Sequence, residues 1–470
     1  MSTAHHLADH AHRADIATLL DRTLFVEAGA GSGKTSSLVG RVVALLATGA
    51  TVDQLAVITF TEAAAAELRD RVRLALDELH EPWARAAVAD LDGAAISTLH
   101  GFAQRILTEN PVEAGLPPIV EVHGEIGAQV EFERRWRAHL DVLLDDDEAL
   151  DLVQRAIVLG IEIRHLRSLA ALLENEWDRI PDDHRWVRPE LSPVSLQPLL
   201  APLARIDELA RGCANPDDKM LAALRRFDPW RERARRAGSD LEHLDVLRDC
   251  PPFRGGNVGR KDDWPDGTLD DVRTLLAEAE SARVELYGAA LDEVLVSLVD
   301  HLCTFTMRGV AERTAAGRLQ FHDLLVLCRT LLATSPEVRR RLHDRYRHVL
   351  VDEFQDTDPI QIEITRLIAT SVTNAEGVGW RELIAEPGRL FFVGDAKQSI
   401  FRFQGADPAG FRSAQQDFPI IRVHAAADTD RDFTAIRVMH APGPATREIG
   451  ICQAVVIAQR GRVLRHTVLL

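Results

Sequence analysis

The chain has 470 residues, enough for two or three domains each with its own core, and its 46% hydrophobic and 27% charged content is ordinary for a globular protein. A formal net charge of −17 argues against indiscriminate nucleic-acid binding but leaves room for a local basic groove. No apolar run approaches membrane-spanning length and the N-terminus lacks a signal-peptide core, while five scattered cysteines without a Cys-x-x-Cys pair exclude a ribbon-type zinc site and fit a reducing cytoplasm.

In chain order, Met1 to His12 is rich in His and Ala, and His5, His6 and His10 read as a solvated helix start in preference to a metal site. Thr23 to Val26 is a short apolar strand, followed by a loop of small residues, Ala28, Gly29, Ala30, Gly31, Ser32 and Gly33. Lys34 and Thr35 then open an amphipathic helix that runs to about Ala47. This strand–loop–helix order is the context a phosphate-binding loop needs, whereas a chance Gly-rich turn would not need it. Helix-start N–H groups and the helix dipole attract phosphate oxygens, and the glycines let the backbone come close. Lys34 would pair with the β- and γ-phosphates, and the Thr35 hydroxyl would ligate Mg²⁺. Strand and helix patterns continue with a strand at Leu55–Phe60, a helix at Glu62–Leu79 and a strand at Ala94–Thr98.

From about Phe102 to Arg340, long Leu/Ala/Arg-rich segments with helical spacing take over, among them Val130–Leu144, Ile161–Glu176 and Leu269–Phe305. Loops rich in Pro, Gly and Asp break them around Ile180–Pro193 and Pro251–Gly267. The acidic run Asp145–Glu148 reads as a solvated helix end. Arg254–Trp264 reads as a flexible surface connection, with a nucleic-acid-contacting loop as the less favoured alternative. The α/β pattern resumes at His348. Val349–Val351 form a strand with Asp352 and Glu353 at its carboxyl end, followed by Gln355, Asp356 and Thr357, and a further strand lies at Arg389–Val393. Adjacent acids at a strand end face different tasks, so one can hold a water-coordinated Mg²⁺ while the other polarises an attacking water. A surface loop rich in acids competes for that segment only while it is taken alone.

Several short segments follow the strands, and their order resembles the UvrD/Rep family of superfamily-one DNA helicases, in its AddA/RecB-like (exonuclease V beta subunit) branch. The carrying residues are Phe25-Val-Glu-Ala-Gly-Ala-Gly-Ser-Gly-Lys-Thr35, Thr59-Phe-Thr-Glu-Ala63, Ser97-Thr-Leu-His-Gly-Phe102, Gln320-Phe-His-Asp-Leu-Leu325, Val351-Asp-Glu-Phe-Gln-Asp-Thr357 and Val393-Gly-Asp-Ala-Lys-Gln-Ser-Ile-Phe401. The resemblance implies an α/β fold: a RecA-like P-loop NTPase domain with a parallel sheet and a large inserted α-helical subdomain. Residues 1–102 and 341–418 would form the two parts of the motor domain, and residues 103–340 the insertion. It implies ATP and Mg²⁺ as cofactors, 3′→5′ movement along single-stranded DNA at duplex junctions, and a nuclease or helicase partner subunit in place of any membrane.

By position, the resemblance assigns phosphate and Mg²⁺ binding to the loop Ala28–Gly33 with Lys34 and Thr35, metal binding to Asp352, and water activation to Glu353. Gln398 matches the γ-phosphate contact. Phe60, Thr98, His100, Phe401 and Phe403 match positions that line the DNA channel, where aromatic and polar groups suit unstacked bases. The adenine-reading box appears as Asp9-His-Ala-His-Arg13, with Arg13 kept and His10 in the place of a glutamine. A His ring has a different reach from an amide that both donates and accepts. Gln404 stands where the family carries an arginine. The family's Asn-[Phe/Tyr]-Arg-Ser box and second motor domain are not found before Leu470. Residues 419–470 are therefore expected to be an atypical basic tail, and the chain a first motor half, truncated or frame-changed. A non-catalytic ATP- or DNA-binding module acting with a partner is the alternative.

Overall fold

The computed structural model describes residues 10–29, 32–180, 190–375, 382–395 and 420–423. Contacts divide the chain into one unit built from residues before Leu99 and after Arg341, and a second running Leu99–Arg341.

The first unit is an all-parallel sheet. Its strands are β1 (Leu24–Ala28), β2 (Leu55–Thr59), β3 (Ala95–Thr98), β6 (His348–Val351), β7 (Leu390–Gly394) and β8 (Ile420–Val423), in the order β3-β2-β6-β7-β1-β8. The intervening β4 (Glu121–Val122) and β5 (Arg318–Leu319) pair with each other in the second unit. Parallel sheets are covered on both faces, and β2 and β7 are correspondingly buried along their whole length. Leu24, Val26 and Ala28 of β1, Leu350 of β6, and Phe391 and Val393 of β7 pack with Leu38, Val42 and Leu45 of the helix Lys34–Ala47 and Leu68, Val72 and Leu76 of the helix Glu62–Asp77. Alternation sends Phe25 and Phe392 away from that cluster, and Phe354 joins them with ring centroids 5.6 and 4.5 Å away.

Two boundaries differ from those expected. Ala28 closes β1 and is not the first loop residue, because its small side chain is fully buried in the sheet. β8 lies inside the expected tail: it pairs in parallel register with β1, Phe25 opposite Ile420, so the sheet continues past residue 418.

The second unit is helical. Its longest element, Thr268–Ala316, has 49 residues and packs against the helices Gln197–Ala210, Ile163–Asn175 and Asp147–Val158. One stretch of it is long and apolar enough to cross a membrane, contrary to the expectation from sequence. That stretch spends its apolar side chains differently, since just over half of it is buried within the protein. The helix stops at Gly317, whose φ of +66° suits glycine and where a Cβ would strike the Ile119 carbonyl. Asp146 caps the helix Asp147–Val158 by accepting from the Ala149 N–H at 2.8 Å, and the surrounding acidic run is exposed as expected.

The segment Arg254–Trp264 runs largely over the surface, as expected, but its aromatic is not a stacking platform. Trp264 is only 5% exposed, Gly255 lies against Met220 and Leu276 and Gly259 against Met220 and Leu269, and Asp218 accepts the Arg260 N–H at 2.9 Å. Its aromatic is core. A buried charge cluster also crosses this unit. Arg313 grips Asp323 through Nε (2.6 Å) and Nη2 (2.8 Å) and reaches Glu174 at 2.8 Å, while Arg135 also pairs with Glu174. The Trp177 indole N–H (2.9 Å) and the Gln320 backbone N–H (2.8 Å) complete the set around Asp323.

Candidate functional site

The carboxyl ends of β1, β6 and β7 meet at one edge of the sheet, where open α/β sheets place ligands. After β1 the chain makes a tight turn. The Ser32 hydroxyl donates to the Gly29 carbonyl at 2.7 Å, and Gly33 takes φ +86° as the N-cap of the helix Lys34–Ala47. Gly33 as the N-cap supplies no side-chain cap to that helix start, and helix-start N–H groups suit an anion. Ala30 and Gly31 lie outside the described residues.

After β6 the backbone reverses at Glu353, a non-glycine residue at φ +51°. This left-handed conformation is costly for a side chain with a Cβ and is found where surrounding contacts impose it. Three contacts do so here. The Asp352 carboxylate accepts the Glu353 N–H at 2.9 Å, Phe354 is buried against Phe25 and Phe392, and the Asp352 N–H donates to the Ile58 carbonyl of β2 at 2.8 Å. The turn directs the Glu353 carboxylate to Lys34, whose Nζ donates to Oε2 at 2.9 Å. These two residues are 319 positions apart in sequence. Burial, and then the neighbouring Glu353 charge, push the Asp352 carboxyl up to about 6. A part-buried carboxylate short of positive charge, with Glu353 and Lys34 as its charged neighbours, is a donor that suits a divalent cation.

Gln355 has no assigned role in the sequence pattern, and it is central to this geometry. Its Nε2 donates to Glu353 Oε2 at 2.5 Å and its Oε1 accepts the Asp395 N–H at 2.8 Å, just past β7. Its position in the polar run after the acids is the one signal that points to it.

The remaining predicted residues are less concentrated. Phe60 follows β2 and is 39% exposed. Thr98, at the end of β3, is buried and donates its hydroxyl to Glu62 at 2.6 Å. His100 belongs to the helical unit, in the helix Leu99–Glu109, with its ring edge-on to Phe321 at 5.6 Å. Arg13 lies in the helix His10–Thr18, and its side chain is outside the described set. Gln398, Phe401 and Phe403 fall outside the described residues.

Comparison with known proteins points to one family. The family described as UvrD/REP helicase N-terminal domain matches residues 9–236 and 265–419. Among curated relatives, the ATP-dependent helicase/nuclease subunit of Pediococcus pentosaceus is 26% identical over 446 residues, covering 84% of this chain and 35% of the relative. The protein of the same name from Latilactobacillus sakei is 25% identical, with 88% and 51% covered, and that from Bacillus velezensis 27% identical, with 84% and 36% covered. The chain thus spans between about a third and about half the length of these relatives.

Proposed function

The chain belongs to the UvrD/REP helicase family through that family's N-terminal domain, and from this premise we propose that it is the ATP-binding motor half of a DNA helicase, moving 3′→5′ on single-stranded DNA. The observation that carries the reading is the 2.9 Å contact between Lys34 and Glu353, which joins the phosphate loop to the acidic strand end beside a metal-ready Asp352.

In this reading the helix start and Lys34 hold the triphosphate, and Thr35 and Asp352 hold Mg²⁺. Bound Mg²⁺ neutralises charge that builds on the phosphate oxygens during phosphoryl transfer. Lys34 leaves Glu353 when phosphate arrives, exchanging one anion for another. Glu353 is then free to orient the attacking water. Phe60, Thr98 and His100 are proposed DNA contacts, and Gln398, Phe401 and Phe403 complete that set by family position. The helical unit corresponds to the inserted subdomain. The relatives' designation as subunits supports a binding partner, and the helicase/nuclease name supports a role in DNA repair.

The test is ATP hydrolysis by the purified chain with and without single-stranded DNA. Turnover is expected to rise with DNA and to fall by about 10³-fold in Lys34→Ala and Glu353→Gln. Nucleotide binding with no DNA-stimulated turnover would instead identify a non-catalytic module.

A further inference from the structure

We propose that Gln355 is a positioning residue: it keeps the Glu353 carboxylate in place when Lys34 departs, and it ties that carboxylate to the end of β7. The inference rests on the nucleotide-site reading above. Lys34 Nζ and Gln355 Nε2 converge on the same oxygen, Glu353 Oε2, at 2.9 and 2.5 Å. A lysine drawn away to phosphate therefore leaves that oxygen with a hydrogen-bond donor already seated on it.

The donor is well placed for such a task. Gln355 is 3% exposed, so its amide competes little with water. Its orientation is chemically determined, since a carboxylate needs the NH₂ end and the Asp395 N–H needs the oxygen, at 2.8 Å. Reversing the amide would break both bonds.

The far end of the link reaches the phosphate loop. A Cβ built on Gly29 would lie 3.9 Å from Asp395 Oδ2, so the residue held by Gln355 borders the turn after β1. One side chain thus connects the acid at the end of β6, the end of β7 and the neighbourhood of the loop. A carboxylate held on only one side would swing with Lys34. Glu353, held on its backbone by Asp352 and on its side chain by Gln355, stays where water must be oriented.

The experiment is a double-mutant cycle on the full chain, with binding of the β,γ-imido analogue of ATP and Mg²⁺ measured by calorimetry. Gln355→Leu leaves Glu353 to Lys34 alone, so the lysine is released less readily, and analogue affinity is expected to fall at least fivefold. In a Glu353→Ala background, where the Lys34–Glu353 and Gln355–Glu353 contacts are both absent, the same change is expected to matter less than twofold. Gln355→Glu keeps an acceptor for Asp395 but loses the donor to Glu353, and it should weaken binding at least as much as Gln355→Leu. Equal losses in both backgrounds, or wild-type affinity in Gln355→Glu, would overturn the proposal. Should Gln355→Leu fail to fold, the isosteric Gln355→Glu carries the cycle. If the unsubstituted chain binds no analogue, the nucleotide reading itself fails. The melting-temperature cycle between Gln355 and Glu353 then still decides the pairing: additive shifts exclude it.

Discussion

Two clusters of charge in this molecule are built on opposite principles. In the helical unit, Arg313, Asp323, Glu174 and Arg135 are buried and matched, with Asp323 also receiving the Trp177 and Gln320 N–H groups. At the strand ends, Asp352 is part-buried with too little positive charge, which pushes its carboxyl up to about 6, and Lys34 is shared with a part-exposed Glu353. The first arrangement balances two arginines against two carboxylates, although Arg135 Nη1 and Glu174 Oε2 make no hydrogen bond among the described residues. The second leaves a lysine that can exchange partners and a carboxylate that a cation would relieve. Balanced charge supports architecture, and unbalanced charge marks a candidate site.

The sharpest way to break that contrast is Arg313→Ala, which takes the arginine from buried Asp323 and one of two arginines from buried Glu174, and is expected to cost about 3–5 kcal/mol. Urea unfolding measures it. Replacing Arg313 by Met together with Asp323 by Leu should recover much of the loss, and failure to do so would show that the cluster is more than a matched set. A smaller effect is expected at Gly309, where an added methyl would overlap the Arg135 guanidinium stacked over Phe305. Gly309→Ala should cost about 1–3 kcal/mol.

The strand-end cluster should respond with the opposite sign. Between pH 3.8 and about 6 the folded state holds the Asp352 proton more tightly than the unfolded chain does, so stability falls as pH rises through that window. Asp352→Asn should therefore raise stability at pH 7.5 by about 1–3 kcal/mol while abolishing Mg²⁺-dependent nucleotide binding. Thermal melts across pH test the first half and calorimetry the second. A destabilised Asp352→Asn would show that the acid is structural.

The weakest expected signal concerns His139, packed on Phe305 at 4.8 Å between ring centroids. Burial, assisted by His301 and Arg308, lowers its pKa from 6.5 to about 4. In that window the unfolded chain takes up the proton and the folded one does not, so stability drops on acidification. The loss should be on the order of 1 kcal/mol after allowance for solvent screening, and His139→Phe should remove it.

Local pattern was enough to find most of the strands, the phosphate loop and the acidic strand end, because each is a short run whose chemistry is carried by neighbours in sequence. Lys34, Thr35, Asp352 and Glu353 were legible for that reason, and so was the helical character of the middle of the chain. Other features depend on residues far apart in the chain. Trp264 in a Gly-rich segment reads as exposed until Met220, Leu269 and Leu276 close over the glycines beside it. The apolar stretch of Thr268–Ala316 gives no hint of which helices cover it, and β8 is recognisable only through its pairing with β1. Sequence by itself singled out Lys34, Asp352 and Glu353, which the sheet brings together at its strand ends. Only the tertiary structure decided that Lys34 and Gln355 meet on one oxygen of Glu353, because hydrogen bonds between strand ends depend on sheet order, and sheet order is set by burial summed over the whole core.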